Sequence, residues 1–248
     1  MILFSSLATF GRYWMFMWRV FSLPEKWKVF WRRTIDEMTK LGVASIPLVL
    51  IISVFIGAVI TIQMEKNTGS PLLPRYAVGL ATREIILLEF SNSILCLILA
   101  GKVGSNIASE IGTMRVTEQI DALEIMGINS RSYLVLPKIV GFVLFMPVLA
   151  VLCIITSMVG GYFVAAFTDV ISVSKYFYGV QAFFHEWYVW YGLIKSLVFA
   201  FIITSVTAFY GYNVRGGSLE VGKASTKGVV TSSILILLFD VILTKLML

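Results

Sequence analysis

The sequence has little charge, only two cysteines and a single histidine. Asp, Glu, Lys and Arg make up 14% of its 248 residues and hydrophobic residues 58%, a composition outside the usual range of soluble domains. Cys96 and Cys153 each lie in an apolar run without a Cys or His at ligand spacing, which predicts packing residues rather than a disulfide or a metal site. Because His185 stands alone, a His-rich metal site is excluded.

A nucleotide-binding loop is also missing. The segment around Lys102 superficially looks like one, but the pattern G-x-x-x-x-G-K-[ST] requires glycine where the chain has Cys96 and Ser or Thr where it has Val103. If ATP drives this protein, another chain must bind it. No basic module with interleaved aromatic residues is present, so the net charge of +6 is attributed to membrane topology and anionic lipid, with no nucleic-acid partner.

Long apolar runs predict an all-α integral membrane protein that forms a single domain, 1–248, with five transmembrane helices. Residues 1–40 are rich in aromatic and basic side chains and are predicted to form an interfacial amphipathic helix or helix pair in the headgroup plane. A tilted first membrane helix is the alternative for that segment. Residues 169–191 are predicted to include a short helix on the far surface. The five predicted spans are 42–64, 76–101, 139–167, 192–212 and 228–247.

The distribution of basic residues predicts the orientation. Of the 20 Lys and Arg residues, 14 lie in 1–40, 102–138 and 215–227. Loops rich in Lys and Arg stay in the cytoplasm, which predicts a cytoplasmic N-terminus, an outer C-terminus and a cytoplasmic loop at 102–138. Lys195 is predicted to extend toward the outer interface from the end of its span.

The cytoplasmic loop contains an unusually acidic stretch, 105–127, with four acids and one base. Apolar residues recur there at helical spacing, polar residues occupy the other face, and Gly127 is a natural helix stop. This pattern predicts a short amphipathic helix outside the bilayer, which either caps the protein's own core or docks into a partner's groove. The predicted apolar face consists of Val116, Ile120, Leu123, Ile125 and Met126, and the polar face of Thr117, Glu118, Asp121 and Glu124.

The amino-acid sequence of this region resembles that of one protein family. The segments AGKVGS at 100–105 and EIGTMRVTEQIDALE at 110–124 closely resemble the signature of the MlaE (YrbE) permeases, the membrane subunits of ABC-type lipid transporters that work with MCE proteins. The residues that match the ATPase-contacting coupling helix of the family are Glu110, Thr113, Met114, Arg115, Thr117, Glu118, Asp121, Glu124 and Gly127.

The resemblance implies a non-catalytic permease subunit without a cofactor of its own. Its implied partners are a second copy of the chain, two cytoplasmic ATPase subunits that hold ATP and Mg, and a periplasmic MCE-domain protein. The implied function is transport of phospholipid between the inner and outer membranes, from a site in the bacterial inner (cytoplasmic) membrane. One departure is the sequence LEFSN at 88–92, where the family typically shows a Gly-Pro break.

Two acids, Glu89 and Asp240, lie within predicted spans, where an acid is disfavoured by about 2.5 to 3.5 kcal/mol. Each is either a hydrogen-bonded structural group or, together with Asn92, part of a polar lipid path. A proton-coupled lipid or drug carrier that titrates the two acids is the alternative function. A membrane-embedded lipid enzyme is disfavoured because an acyltransferase-type His-x-x-x-x-Asp motif would need Asp where the chain has Trp190.

Overall fold

The computed structural model describes residues 2–22, 26–68, 74–168 and 171–248. Every regular element in these ranges is helical, which confirms the all-α prediction. Residues 1 and 23–25 of the predicted interfacial segment, and 169–170 of the predicted surface segment, lie outside the described residues. The α-helices are α1 (Ile2–Val20), α2 (Trp27–Glu37), α3 (Ile46–Thr68), α4 (Ala77–Ile85), α5 (Leu95–Leu99), α6 (Ser105–Val116), α7 (Gln119–Ile125), α8 (Ser130–Phe167), α9 (Val173–Gln181), α10 (Glu186–Tyr212) and α11 (Ser218–Met247).

Five helical stretches in the described ranges are long and apolar enough to cross a membrane, as predicted. Span 1 joins α2 to α3 through a π-helical turn at Met38–Gly42, and span 2 joins α4, α5 and α6 through π-helical segments at Ile86–Ile94 and Ala100–Gly104. Spans 3, 4 and 5 are α8, α10 and α11. In numbers, the five spans are Trp27–Thr68, Ala77–Val116, Ser130–Phe167, Glu186–Tyr212 and Ser218–Met247.

The helices extend beyond the predicted apolar runs. Span 2 does not stop at Gly101 but continues to Val116, because α6 is packed between α10 and α11 with Ile107 and Ile111 fully buried. Glu110, in the same helix, is paired with a lysine of α8, so a charge does not end the helix. The predicted loop 102–138 therefore contains α6, α7 and the beginning of α8.

The bundle is held together by close backbone contacts at glycines. A Cβ atom on Gly57 would collide with the carbonyl of Ser157, and one on Gly160 would collide with the carbonyl of Val54, so α3 and α8 pack at the closest possible approach. Helix α10 lies at the centre. Its most apolar stretch is 72% buried, whereas that of α11 is 11% buried. Thus α10 is an internal helix, and α11 shows most of its surface to the surroundings.

Helix α1 is amphipathic. Its inner face packs on α10, where the Tyr13 hydroxyl donates to Ser205 Oγ at 2.8 Å and Phe16 contacts the rings of Phe209 and Tyr212. Its other face leaves large aromatic side chains exposed, among them Trp18. Such a helix is typical of an interface between apolar and aqueous phases, and its location in the headgroup plane stays a prediction.

At the end of the bundle opposite α7, Arg83 of α4 forms hydrogen bonds to the end of α9. Its guanidinium donates to the carbonyls of Ala182 (2.6 Å), Val180 (3.0 Å) and Phe183 (3.2 Å), which follow or end the short helix. These carbonyls lack partners within a helix, so a buried arginine satisfies them. The predicted short helix in this part of the chain is present as α9.

Candidate functional site

A sharp, fixed turn separates α6 from α7. Glu118 adopts a left-handed conformation with φ of 58°, which residues with a Cβ rarely do. On the α6 side, the Thr117 hydroxyl donates to the Thr113 carbonyl at 2.8 Å. Across the turn, Arg115 Nη1 and Asp121 Oδ1 form an ion pair at 2.5 Å. These contacts fix the angle at which α7 leaves span 2.

The other end of α7 is tied to spans 3 and 4 through Glu124. Its Oε1 accepts hydrogen bonds from Tyr212 Oη (2.8 Å) and Ser130 Oγ (2.9 Å), and these two hydroxyls lie 2.8 Å apart. The hydrogen bond from Tyr212, and then that from Ser130, lower the pKa of Glu124 because they favour the ionised carboxylate. Just beyond, Gly127 turns the chain with φ of 78°.

The outward surface of α7 is partly apolar. Ile125 is 87% exposed and Met126 is 65% exposed, whereas Ile120 is fully buried. The prediction that Ile125 and Met126 share one helix face with Ile120 was wrong. Five positions correspond to a rotation of about 140° around an α-helix, so Ile125 lies nearly opposite Ile120. Together with exposed Glu118, they form what we call the α7 surface: Glu118, Ile125 and Met126.

Glu110 does not belong to that surface. The ammonium group of Lys138 lies 2.7 Å from Glu110 Oε2 and 2.8 Å from Glu37 Oε1, and the lysine side chain is 3% exposed. We call these three residues the Lys138 cluster. It joins α2, α6 and α8. Met114, another residue of the predicted coupling helix, is half-buried against the apolar core.

The two acids predicted in the membrane are brought together by a lysine. Lys195 Nζ donates to Asp240 Oδ1 (2.6 Å) and Thr244 Oγ1 (2.9 Å) and lies 3.5 Å from Glu89 Oε1. Ser93 Oγ donates to the other oxygen of Glu89 at 3.2 Å. We call Glu89, Lys195 and Asp240 the Lys195 cluster. It joins span 2 to α10 and α11.

The prediction that Lys195 extends to the outer interface was wrong, since its side chain is completely buried. A sequence pattern could have shown this. Glu89, Lys195 and Asp240 each lie within about 18 Å of a helix end on one side of the membrane, at 1.5 Å per residue, so opposite charges occur at similar depths in three spans.

Asn92 is near this cluster in the chain but has different neighbours. It lies with Glu89 in the π-helical segment Ile86–Ile94, where its amide donates to the Leu87 carbonyl five residues earlier at 3.1 Å. Its side chain also touches Gly192, where a Cβ would come within 2.9 Å of the amide nitrogen. The segment occupies the position of the Gly-Pro break that this chain lacks. Wide turns of this kind are frequent at functional sites.

Comparison with known proteins matches most of the chain. A family model described as "Permease MlaE" matches residues 34–246. A "Probable ABC transporter permease protein" of Rickettsia bellii is 35% identical over 216 residues, which cover 86% of this chain and 82% of that protein. A protein of the same description from Synechocystis is 34% identical over 220 residues, covering 87% and 82%. The Arabidopsis thaliana protein "TRIGALACTOSYLDIACYLGLYCEROL 1, chloroplastic" is 29% identical over 240 residues, covering 93% and 68%.

These matches extend across all five spans and agree with the resemblance at 100–127. The family model and the two bacterial relatives are described as permeases, the membrane components of ABC transporters. The chain is therefore an integral membrane protein and belongs to the MlaE family of ABC transporter permeases.

Proposed function

We propose that this chain is the permease of a phospholipid transporter that a separate ATPase drives and that works with an MCE-domain protein between the inner and outer membranes. The observation that carries the proposal is the Lys195 cluster, in which Glu89 stays 46% exposed within a membrane span. An accessible acid beside a buried lysine offers a polar contact to a headgroup inside an otherwise apolar bundle. The Arabidopsis relative bears the name of a lipid, which agrees with this substrate class.

The lipid path in this proposal runs past Glu89, Asn92 and Asp240. Asp240 is mostly enclosed and hydrogen-bonded to Lys195, so it positions the lysine. Asn92 is buried, and its Oδ1 has no hydrogen-bond partner among the described residues. Glu89 is the member of the path that a headgroup can reach.

The ATPase partners, which hold ATP and Mg, dock in this proposal on the α7 surface. Ile125 and Met126 present apolar side chains beside the carboxylate of Glu118, a combination that suits an amphipathic groove with a basic edge. Arg115, Asp121 and Glu124 hold α7 in place through contacts within the chain. Their role is therefore to orient the docking surface.

A second copy of the chain packs in this proposal against α11. This helix exposes apolar side chains along its length, including Ile234 and Val241. An open groove beside it is lined in part by Gly222 and Thr226, two small residues four positions apart. Small residues at that spacing let another helix approach closely. The dimer lies in the bacterial inner membrane with α7 on the cytoplasmic side, the N-terminus inside and the C-terminus in the periplasm, where the MCE protein binds.

The test is gentle purification of the tagged full-length chain, followed by determination of partner identities and complex mass. We expect two copies of the chain, two ATPases and an MCE ring. Replacing Ile125 and Met126 together by Ser should reduce the amount of ATPase that co-purifies. Phe183→Ser, which removes an exposed apolar side chain near α9, is the matched control and should leave it unchanged.

A complex without an ATPase would overturn the proposal. Lipid transport that survives ATP depletion but not loss of a proton gradient would instead support the carrier that titrates Glu89 and Asp240. An undiminished ATPase yield from the Ile125 and Met126 variant would exclude the α7 surface as the docking site.

A further inference from the structure

Helix α10 carries two polar contacts that lie far apart along its length. Tyr212, its last residue, donates to Glu124 of α7. Lys195, in the first half of the helix, belongs to the Lys195 cluster. The two residues are about 25 Å apart along the helix axis at 1.5 Å per residue. A single helix therefore connects the proposed ATPase-docking element with the proposed lipid path.

This helix is a continuous connection between the two regions. Helix α10 runs from Glu186 to Tyr212 without proline and without a π-helical turn. Span 2 also reaches both regions, but it is interrupted by two π-helical segments. Helix α8, which begins beside Tyr212, contains Pro137 and Pro147. Interruptions of these kinds are where helices bend, so span 2 and α8 transmit an axial movement less directly than α10 does.

Packing further restrains α10 to move as one body. A Cβ on Gly211 would press on the backbone of Ala108, and one on Gly192 would press on the side chain of Asn92. Between these points, Phe199 and Ile203 are fully buried. Close-packed interiors resist compression, so a displacement at one end of such a helix appears at the other.

The contact that a small displacement would change first is the one between Lys195 and Glu89. Lys195 donates to Asp240 at 2.6 Å but lies 3.5 Å from Glu89, which forms no hydrogen bond with it. Helix shifts of about 1 to 2 Å are typical of switching transitions. A shift of that size is enough either to bring Glu89 into hydrogen-bonding distance or to separate the pair.

We infer that Tyr212 is a positioning residue that couples α7 to the Lys195 cluster, with α10 acting as the rigid connection between them. The inference rests on the proposed function, which supplies the partner that moves α7. The Tyr212 hydroxyl holds α10 to Glu124, and its ring is fixed by Phe16 and by the guanidinium of Arg131. The hydroxyl is therefore separable from the packing of the ring.

The test is Tyr212→Phe in the full complex, which keeps the ring and removes the hydrogen bond to Glu124. The readouts are lipid moved per ATP hydrolysed in proteoliposomes, and the ATP-dependent change in hydrogen exchange at Ile86–Ile94. We expect the ATPase to remain bound, lipid moved per ATP to fall at least about fivefold, the lower end of common coupling strengths, and the ATP-dependent exchange change to disappear. If Tyr212 only stabilised the fold, Tyr212→Phe would lower lipid transport and ATP hydrolysis together, and the ratio between them would not change.

Tyr13→Phe is the matched control, because it removes a hydroxyl contact to Ser205 of the same helix without touching α7. It should leave both readouts unchanged. A double-mutant cycle with Glu124→Gln supplies the coupling evidence that spatial position alone cannot. The double variant should be no worse than either single variant.

Normal lipid transport per ATP in Tyr212→Phe would overturn the inference and leave the proposed function standing. If no ATPase co-purifies with the wild type, the proposed function fails and the same inference is tested on the chain alone. There, Glu124→Gln should alter exchange at Ile86–Ile94 in the wild-type background and have no effect in the Tyr212→Phe background. An effect of equal size in both backgrounds would show that α10 is not the connection.

Discussion

Two buried lysines of this permease each lie between two acids. The two clusters differ in whether both acids are within hydrogen-bonding distance of the lysine. Lys138 holds Glu37 at 2.8 Å and Glu110 at 2.7 Å. In contrast, Lys195 is hydrogen-bonded to Asp240 and lies 3.5 Å from a half-exposed Glu89. The Lys138 cluster is closed, and the Lys195 cluster keeps one carboxylate available.

The two clusters also differ in their position relative to the predicted membrane spans. The three residues of the Lys138 cluster lie outside the predicted apolar runs, whereas those of the Lys195 cluster lie within them. A buried ion pair is seldom more stable than well-packed apolar side chains, so stability alone explains a membrane-embedded cluster poorly. The comparison indicates that the Lys138 cluster stabilises the packing of its helices, and it agrees with the lipid path that we propose at the Lys195 cluster.

Removing either lysine gives the largest expected effects. Lys195→Met leaves two acids without a cation inside membrane spans and should destabilise the protein by about 3 to 5 kcal/mol. Lys138→Met should destabilise it less, because water reaches Glu110, which is 36% exposed and outside the apolar runs. Thermal unfolding in detergent measures both, and about 3 kcal/mol corresponds to roughly 6 to 12 °C for a chain of this size.

The double variant Lys195→Met with Asp240→Asn is the control, because it leaves only the half-exposed acid and should recover part of the loss. Wild-type stability of Lys195→Met, or a greater loss in Lys138→Met, would break the comparison.

Neutralising one acid in each cluster separates function from stability. Glu89→Gln should change stability by less than about 1 kcal/mol, because Lys195 keeps its hydrogen bonds to Asp240 and Thr244, but it should clearly reduce lipid occupancy or transport. Glu110→Gln should destabilise by about 1 to 3 kcal/mol, because Lys138 loses a hydrogen-bonded partner, and leave lipid transport per ATP unchanged. Lipid extraction with mass spectrometry and proteoliposome assays measure the difference. Unchanged lipid occupancy and transport in Glu89→Gln would make Glu89 structural as well.

Glu124 is an acid outside both clusters whose hydrogen bonds can be tested by changing the pH. Hydrogen bonds lower its pKa in the folded protein below the usual value of about 4.3, so its contribution to stability is complete above that value and is lost as pH falls through the lowered pKa. The opening equilibrium of α7, measured by hydrogen exchange, should therefore stay constant at pH values well above the usual pKa of about 4.3 and shift toward the open state only below it. Glu124→Gln should loosen α7 at every pH, without the acid transition. A transition near pH 6 would contradict the assigned contacts.

The smallest expected effect concerns the turn between α6 and α7. Glu118→Gly removes the strain of a left-handed residue, which exceeds the added freedom of glycine in the unfolded chain, and should stabilise the turn by up to about 1 kcal/mol. Gly127→Ala, at the other left-handed position, should destabilise for the same reason. Thermal unfolding of the two variants compares them directly, and shifts in the same direction would argue against strain at the turn.

The sequence patterns predicted the all-α fold, the five spans and the presence of acids that need partners. They did not predict that span 2 continues to Val116, that Lys195 is buried, or that Ile125 and Met126 are exposed. The reason is long-range pairing. The predicted span 2 ended at Gly101, before the charges of Lys102 and Glu110, because the sequence does not show that Glu110 is paired with Lys138 of another span. Charges that satisfy each other across helices are visible only when the helices are placed together.

The π-helical segments of span 2 also affect how its sequence relates to its height in the bundle. A π-helical turn holds more residues than an α-helical turn, so span 2 is longer in sequence than its rise suggests. Side chains on either side of Ile86–Ile94 are rotated away from the positions that one continuous helical wheel assigns to them. Inserting or deleting a residue there would consequently act as a rotation of everything that follows, turning α6 about its axis while leaving α4 in register.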